Sequence, residues 1–255
     1  MSDFTLSPRG PFYELKMHRP PLNVLNIAML QGMIEALERA QKEINRSHGL
    51  ILTAEGKTFS AGVDVGDHVG DKAPVMLKTF HRFFLRLAEV AVPTIAVVQG
   101  AALGGGCEVV MACDVVLASD KAVFAQPEIR VGVFPPVAAM ALPGLIGWRR
   151  AVKMLLTGDS WDATTAHQWG FVTEVYPAES FHGSVEKFLS TIGSLSQPVL
   201  AYTLQAMKGY RSSKMLEDRI TGLEDLYLNR LMKTRDAQEG LAAFTEKRLP
   251  KWSHQ

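Results

Sequence analysis

The sequence predicts an α/β fold whose strands are largely parallel and buried. Short, continuous apolar runs occupy residues 50–53, 92–98 and 115–118, and segments with helical periodicity separate them. Apolar runs of this kind are typical of strands that are covered on both faces. The alternation of strand and helix indicates parallel pairing, because successive parallel strands need a crossover connection between them.

The elements follow in order along the chain. Residues 12–18 predict a strand, which stops at the prolines that follow it. A helix begins after Asn26, since apolar side chains recur there at steps of three and four residues through Ile44. The strand at 50–53 leads through a glycine- and aspartate-rich loop to a second helix at 74–90. The strand at 92–98 precedes a glycine-entered helix at 104–113, and the strand at 115–118 follows it.

The character of the chain changes after residue 162. A short helix is predicted at 163–169, a last strand at 171–176, and helical pattern from 184 to about 248. The segment 193–198 is rich in serine and contains glycine and proline, which is typical of a boundary. We therefore expect an α/β core at residues 1–195 and a helical segment at residues 196–255.

Composition excludes several classes of protein. The 255 residues carry 27 Lys and Arg against 26 Asp and Glu, which gives no electrostatic case for binding nucleic acid or an anionic membrane. No apolar run approaches the ~18 residues of a membrane span, and the first residues lack the pattern of a signal peptide. The two cysteines, Cys107 and Cys113, would lie ~240° apart on one helix, which argues against a disulfide. We expect a cytoplasmic protein.

Two turns of small residues follow predicted strands, at residues 58–64 (TFSAGVD) and 100–106 (GAALGGG). Glycine-rich turns that enter a helix expose backbone N–H groups, which bind a phosphate or an oxyanion. Each turn alone is also compatible with an ordinary packing joint. A dinucleotide site is disfavoured, because no acidic residue ends a second strand ~20 positions later, and Ile51 breaks the P-loop pattern. Together the two turns are able to direct two N–H groups at one oxygen.

Two carboxylates accompany these turns. Glu108 lies one turn into an otherwise apolar helix, so burial should raise its pKa toward the range useful for acid–base catalysis. Glu128 follows a Gln-Pro turn and precedes an apolar run. Taken alone, a glutamate of either kind more often has a capping or ion-pairing role. The sequence contains no G-x-S-x-G, its histidines are scattered, and no C-x-x-C occurs, so we expect neither a catalytic serine nor a metal site.

The order of these motifs resembles that of the crotonase superfamily of enoyl-CoA hydratases and isomerases over nearly the whole chain. The resemblance implies a crotonase-like ββα spiral core with a C-terminal helical trimerisation segment, assembled as a homotrimer or a homohexamer. It also implies an acyl-CoA thioester substrate, with coenzyme A as part of that substrate and no separate cofactor. The matching stretches are RP at 19–20, NVLN at 23–26, FSAGVD at 59–64, GAALGGGCE at 100–108, CD at 113–114, FAQPE at 124–128, LTG at 156–158, GFV at 170–172 and FTEKRLP at 244–250.

The resemblance also assigns roles to residues. The backbone N–H groups of Val63 and Gly105 would form the oxyanion hole, Glu108 would activate water, and Glu128 would deliver a proton to carbon. Isomerases of this superfamily usually keep only the second carboxylate, so the presence of both favours hydration. A double-bond isomerase that uses Glu128 alone, and a non-catalytic RNA- or partner-binding protein, remain alternatives. Coenzyme A would be contacted by Asn23, Val24, Leu25, Ser60, Ala61, Gly62, Asp64, Phe244 and Lys247.

One segment departs from the pattern of ordinary hydratases. A glycine-rich stretch usually follows the second glutamate, whereas this chain has Phe134, Pro135, Pro136 and Val137. Two prolines stiffen the segment, and its apolar side chains should reshape the acyl pocket. This pattern resembles that of cyclic dienoyl-CoA hydratases of anaerobic aromatic compound degradation, which act on cyclohexa-1,5-diene-1-carbonyl-CoA.

Overall fold

A computed structural model describes residues 3–208 and 213–253 of the chain. The strands are β1 (Phe4–Arg9), β2 (Phe12–Met17), β3 (Leu50–Ala54), β4 (Thr94–Val98), β5 (Ala101–Leu103), β6 (Val115–Ser119), β7 (Val123–Ala125), β8 (Trp161–Asp162) and β9 (Glu174–Tyr176). Within the described residues, the main sheet has six strands in the order β1-β2-β3-β4-β6-β9, and a small sheet has the order β5-β7-β8.

Helices connect and cover these strands. They are α1 (Ile27–Ile44), α2 (Lys72–Ala88), α3 (Gly105–Met111), α4 (Pro136–Ile146), α5 (Trp148–Thr157), α6 (Ala163–Gln168), α7 (Phe181–Gly193), α8 (Gln197–Lys208), α9 (Ser213–Asp225) and α10 (Arg235–Thr245). Short 3₁₀ turns occur at Val65–His68, Pro127–Val131 and Leu231–Lys233, and a π-helical turn occurs at Leu226–Arg230. Within the described residues, no helix has both the length and the apolar character needed to cross a membrane.

The prediction of a largely parallel sheet is confirmed. In the main sheet, strands β2, β3, β4, β6 and β9 pair in parallel, and the edge strand β1 is antiparallel to its neighbour β2. In the small sheet β5 and β7 pair in parallel, and β8 is antiparallel to β7. Alternate residues of β3 enter different cores: Leu50 and Leu52 pack toward α1 and α2, whereas Ile51 packs toward α7. Because side chains alternate across a strand, this division shows a sheet buried on both faces.

Several elements were not predicted from the sequence. Strands β5, β7 and β8 contain two or three residues each, which is too short for a recognisable period. Helix α4 is apolar on every side and contains Pro143, so it shows no amphipathic stripe. The last strand begins at Glu174, three residues later than predicted, because Phe171 and Val172 are buried beside α6 rather than paired in the sheet.

The C-terminal segment packs back onto the α/β core. Tyr227 and Leu241 form a buried cluster with Leu77 of α2 and Val133. His81 of α2, which is also buried, is hydrogen-bonded through Nδ1 to a carboxylate oxygen of Glu224 in α9, at 2.8 Å. Helix α7 ends at Gly193 and α8 begins at Gln197, while the division of the chain after residue 195 stays a prediction.

Candidate active site

The loop at residues 60–64 is fixed between two neighbouring backbone segments. On one side the N–H of Leu25 donates to the carbonyl of Gly62 at 2.9 Å, and the N–H of Asp64 donates to the carbonyl of Leu25 at 2.8 Å. On the other side the N–H of Leu103 donates to the carbonyl of Ser60 at 2.9 Å. Gly62 has a φ of +102°, and a Cβ there would lie 2.9 Å from the carbonyl oxygen of Leu103. The close approach of the two loops therefore requires glycine.

Two backbone amides remain unused where these loops meet. The N–H groups of Val63 and Gly105 donate no hydrogen bond to any residue in the described ranges. Gly105 is the first residue of α3, where helix geometry leaves N–H groups without intrahelical partners. A Cβ at Gly62 would lie 3.3 Å from the nitrogen of Gly105, which shows how closely the two loops approach. Both amide-bearing residues line one cavity.

Glu108 projects from α3 toward the N-terminus of α4. Its side chain is only 2% exposed, and one carboxylate oxygen accepts a hydrogen bond from the N–H of Ala138 at 2.8 Å. Ala138 is the third residue of α4, so its N–H is one of the donors that the helix itself does not satisfy. Burial raises the pKa of Glu108 to about 7, although hydrogen bonds from Ala138 and Val137 favour the ionised form.

Glu128 approaches the same cavity from the 3₁₀ turn at Pro127–Val131. Its carboxylate occupies the space that a side chain at Gly104 would fill, since a Cβ there would lie 2.5 Å from Oε1. With its amide nitrogen turned toward the carboxylate, the buried Gln126 donates to Glu128 Oε2 at 3.1 Å. Burial, and then the nearby charge of Glu108, raise the pKa of Glu128 well above its usual range.

The cavity has a volume of about 370 Å³, and most of its lining is apolar. The ionisable side chains in its lining are those of His68, Glu108, Glu128, Arg130 and Tyr227. Its lining residues are Ala61, Gly62, Val63, Val65, His68, Met76, Leu77, Phe80, Gly104, Gly105, Glu108, Pro127, Glu128, Arg130, Val131, Val133, Phe134, Pro135, Pro136, Tyr227, Leu241 and Phe244. An apolar cavity of this kind suits an acyl group, and two carboxyls with raised pKa values suit proton transfer to and from it.

Ten of the residues singled out in the sequence line this cavity. They are Ala61, Gly62, Val63, Gly105, Glu108, Glu128, Phe134, Pro135, Pro136 and Phe244. Residues as far as 183 positions apart in the sequence, Ala61 and Phe244, thus reach one site, because loops from both sheets and the C-terminal helix α10 surround it.

Other singled-out residues lie outside the cavity lining. The Asn23 side chain donates to the carbonyls of Glu55 and Thr58 at 2.8 Å, and the Ser60 hydroxyl donates to the carbonyl of Asn23 at 2.8 Å. These two side chains connect the loops through hydrogen bonds that lie outside the cavity lining. Val24, Leu25, Asp64, Val137 and Lys247 do not line the cavity either. The acyl-pocket role of Val137, and the contacts of the other residues with coenzyme A, stay predictions.

Sequence reasoning missed part of the cavity wall. Met76, Leu77 and Phe80 share one face of α2, and their helical spacing is a signal that was available. No local pattern identifies His68, Tyr227 or Leu241 as cavity residues. Among the described residues, no group of three or more His, Cys, Asp or Glu side chains has an arrangement that could hold a metal ion.

The fold and the cavity together suit acid–base chemistry on an acyl group. Comparison with known proteins identifies the family: the enoyl-CoA hydratase/isomerase profile matches residues 11–255. The chain therefore belongs to the enoyl-CoA hydratase/isomerase family, and the predicted crotonase-like fold and hydro-lyase class are confirmed.

Individual relatives cover nearly the whole chain. A cyclohexa-1,5-dienecarbonyl-CoA hydratase of Thauera aromatica is 35% identical, over 96% of this chain and 94% of the relative. A probable enoyl-CoA hydratase of Mycobacterium bovis is also 35% identical, over 94% of this chain and 93% of the relative. The crystal structure of an enoyl-CoA hydratase from Mycobacterium avium subsp. paratuberculosis superimposes with a TM-score of 0.87 at 27% identity, covering 99% of both chains.

Proposed function

We propose that this protein adds water to an α,β-unsaturated acyl-CoA thioester, with Glu108 as the general base and Glu128 as the general acid. The observation that carries this proposal is the placement of two carboxyls with different surroundings, the buried Glu108 and the half-buried Glu128, in one apolar cavity. Two such groups cannot both ionise easily, because each negative charge opposes the other in a poorly solvated space. One carboxylate and one carboxylic acid are the pair that hydration requires.

The surroundings decide which carboxyl carries the charge. Glu108 accepts a hydrogen bond from the first turn of α4, where backbone N–H groups favour a negative group. The pKa of Glu128 is raised well above its usual range by burial and by the charge of Glu108, which favours the protonated form of Glu128. This difference makes Glu108 the proton acceptor and Glu128 the proton donor.

The reaction follows from these roles. Glu108 takes a proton from water as the water oxygen bonds to the β-carbon of the substrate. The electron pair of the double bond moves to the thioester, which becomes an enolate. The free N–H groups of Val63 and Gly105 hold the enolate oxygen, and loss of one such donor typically costs about 3–4 kcal/mol of barrier. Glu128 then gives its proton to the α-carbon, which completes the addition of water.

The acyl substrate we propose is a cyclic dienoyl group. This choice rests on the sequence similarity to the cyclic dienoyl-CoA hydratase of Thauera aromatica and on the wall formed by Phe134, Pro135 and Pro136. Phe244 lies at the cavity and is 54% exposed, which suits a residue that covers the coenzyme A moiety at the entrance. A linear enoyl-CoA is the alternative substrate.

The test replaces each carboxyl by its amide. Glu128→Gln and Glu108→Gln should each lower turnover of crotonyl-CoA or of the cyclic dienoyl-CoA by about 10²–10⁴-fold, while ligand binding survives. Glu35→Gln, on the exposed surface of α1, is the matched control and should keep full activity. Unchanged turnover in either cavity variant would refute the assignment. Retained activity of Glu108→Gln on a 3-enoyl-CoA would instead identify an isomerase that uses Glu128 alone.

We also propose that the chain assembles as a homotrimer or a homohexamer. Large apolar side chains are exposed on α8, including Val199, Tyr202 and Met207, and Trp148 of α5 is 71% exposed. Exposed apolar surface of this kind is typical of protein–protein contacts. Light scattering should give three or six times the 28.0 kDa of one chain, and a monomer mass would contradict this proposal. A cytoplasmic location stays a prediction.

A further inference from the structure

Tyr227 brings a phenol to the cavity from the C-terminal segment. It lies in the π-helical turn Leu226–Arg230, directly after α9, and its side chain is 1% exposed. Its ring packs edge-on against Phe134, with 5.5 Å between the ring centroids, and belongs to a cluster with Leu77, Val133 and Leu241. π-Helical turns occur frequently at functional sites, because the wider turn changes the direction of one side chain.

The hydroxyl of Tyr227 is available to a ligand. It makes no hydrogen bond to the part of the chain that the structure describes, including Glu108 and Glu128. Burial, together with the negative charges of these two carboxylates, raises the pKa of Tyr227, so the phenol stays protonated. The group is therefore a permanent donor in an apolar wall, and leaving such a donor unpaired costs about 1–3 kcal/mol.

The proposed reaction leaves this hydroxyl without a task in proton transfer. Glu108 and Glu128 already supply the base and the acid, and the amides of Val63 and Gly105 already account for the thioester oxygen. The remaining part of the substrate is its acyl group, which must occupy the apolar space that Tyr227 and Phe134 border.

We propose that Tyr227 is a specificity-determining residue whose hydroxyl donates a hydrogen bond to an oxygen atom on the acyl group of the ligand. This inference rests on the proposed function, since it requires an acyl-CoA in the cavity. Two oxygen atoms are candidates for the acceptor. One is the hydroxyl that hydration places on the third acyl carbon, and the other is an oxygen substituent farther along the acyl group. A pocket that pairs a ligand oxygen discriminates against ligands that lack one, because the donor then stays buried and unpaired.

The experiment compares the binding of three unreactive CoA thioesters to the wild type and to Tyr227→Phe by isothermal titration calorimetry. Butyryl-CoA has no acyl oxygen beyond the thioester, acetoacetyl-CoA has one on the third carbon, and adipyl-CoA has a carboxylate at the chain end. Tyr227→Phe should weaken one oxygen-bearing ligand by about 5–30-fold and change butyryl-CoA by less than about twofold. A loss of affinity for acetoacetyl-CoA identifies the oxygen on the third carbon, as in the hydration product, as the acceptor. A loss of affinity for adipyl-CoA identifies a distal oxygen as the acceptor.

Controls separate a hydrogen bond from packing. Tyr227→Phe keeps the ring against Phe134 and removes a buried unpaired donor, so its melting temperature should not fall below that of the wild type. Tyr176→Phe, in β9 and outside the cavity lining, should bind all three ligands normally. An equal loss for all three ligands, or no loss for any, overturns the assignment of Tyr227 while the proposed function stands. Failure of the wild type to bind any of the three overturns both.

Discussion

The position of Glu128 depends on the absence of a side chain at Gly104. A Cβ at Gly104 would lie 2.5 Å from Glu128 Oε1, whereas ordinary contacts begin at 3.4 Å, so Gly104→Ala must displace the carboxyl by roughly 0.9 Å. A displacement of about 1 Å in a reacting group costs about 10²-fold in rate. We therefore expect kcat for hydration to fall about 100-fold, with little change in the affinity for an unreactive acyl-CoA.

The same substitution also strains the backbone, because Gly104 has a φ of +51°. This strain should lower the free energy of unfolding by about 1–3 kcal/mol without being the cause of the lost activity. Gly10→Ala is the matched control, since Gly10 has a φ of +56° and no atom within 4 Å of an added Cβ. It should lose similar stability and keep its kcat.

The assay follows the loss of the enoyl-thioester absorbance at saturating substrate, with thermal unfolding measured on the same samples. Wild-type kcat in Gly104→Ala would refute the reasoning, and so would an equal loss of kcat in Gly10→Ala. The double variant Gly104→Ala/Glu128→Gln should have nearly the same kcat as Glu128→Gln alone, because both changes act on the same carboxyl.

Two further predictions concern ionisation and loop packing. The rate constant kcat/KM should rise with pH through about 7 as Glu108 ionises and fall at higher pH as Glu128 loses its proton. The folded-state pKa of Glu108 lies above its usual 4.5, so the contribution of this group to the free energy of unfolding is fully present below pH 4.5. That contribution declines by roughly 3 kcal/mol as the pH rises through 7. Glu108→Gln should flatten this decline in denaturant titrations. Asn23→Gly keeps the positive φ of Asn23 accessible but removes two buried donated hydrogen bonds, so the free energy of unfolding should drop by about 2–4 kcal/mol. An unchanged unfolding free energy would contradict the structural role given to that side chain.

Local sequence patterns predicted the parts of the fold that have a clear period. The apolar runs at 50–53 and 115–118 became β3 and β6, and the stripe after Asn26 became α1, whose first turn the Asn26 side chain caps at 2.8 Å. Patterns of two or three residues have no period, so β5 and β7 were not predicted. These are the strands that carry the Gly104 turn and the turn before Glu128 to the cavity.

The sequence by itself determined the parallel sheet, the two glycine-rich turns and the two candidate carboxyls, because each depends on residues that are close together in the chain. Only the tertiary structure showed that the first turn of α4 donates a hydrogen bond to Glu108, and that Gly104 makes room for the Glu128 carboxyl. Only the tertiary structure also brought Tyr227 against Phe134. The physical reason is that the pKa values, the unused amides and the wall of the cavity arise from contacts between segments remote in sequence, and burial in such contacts leaves no local pattern.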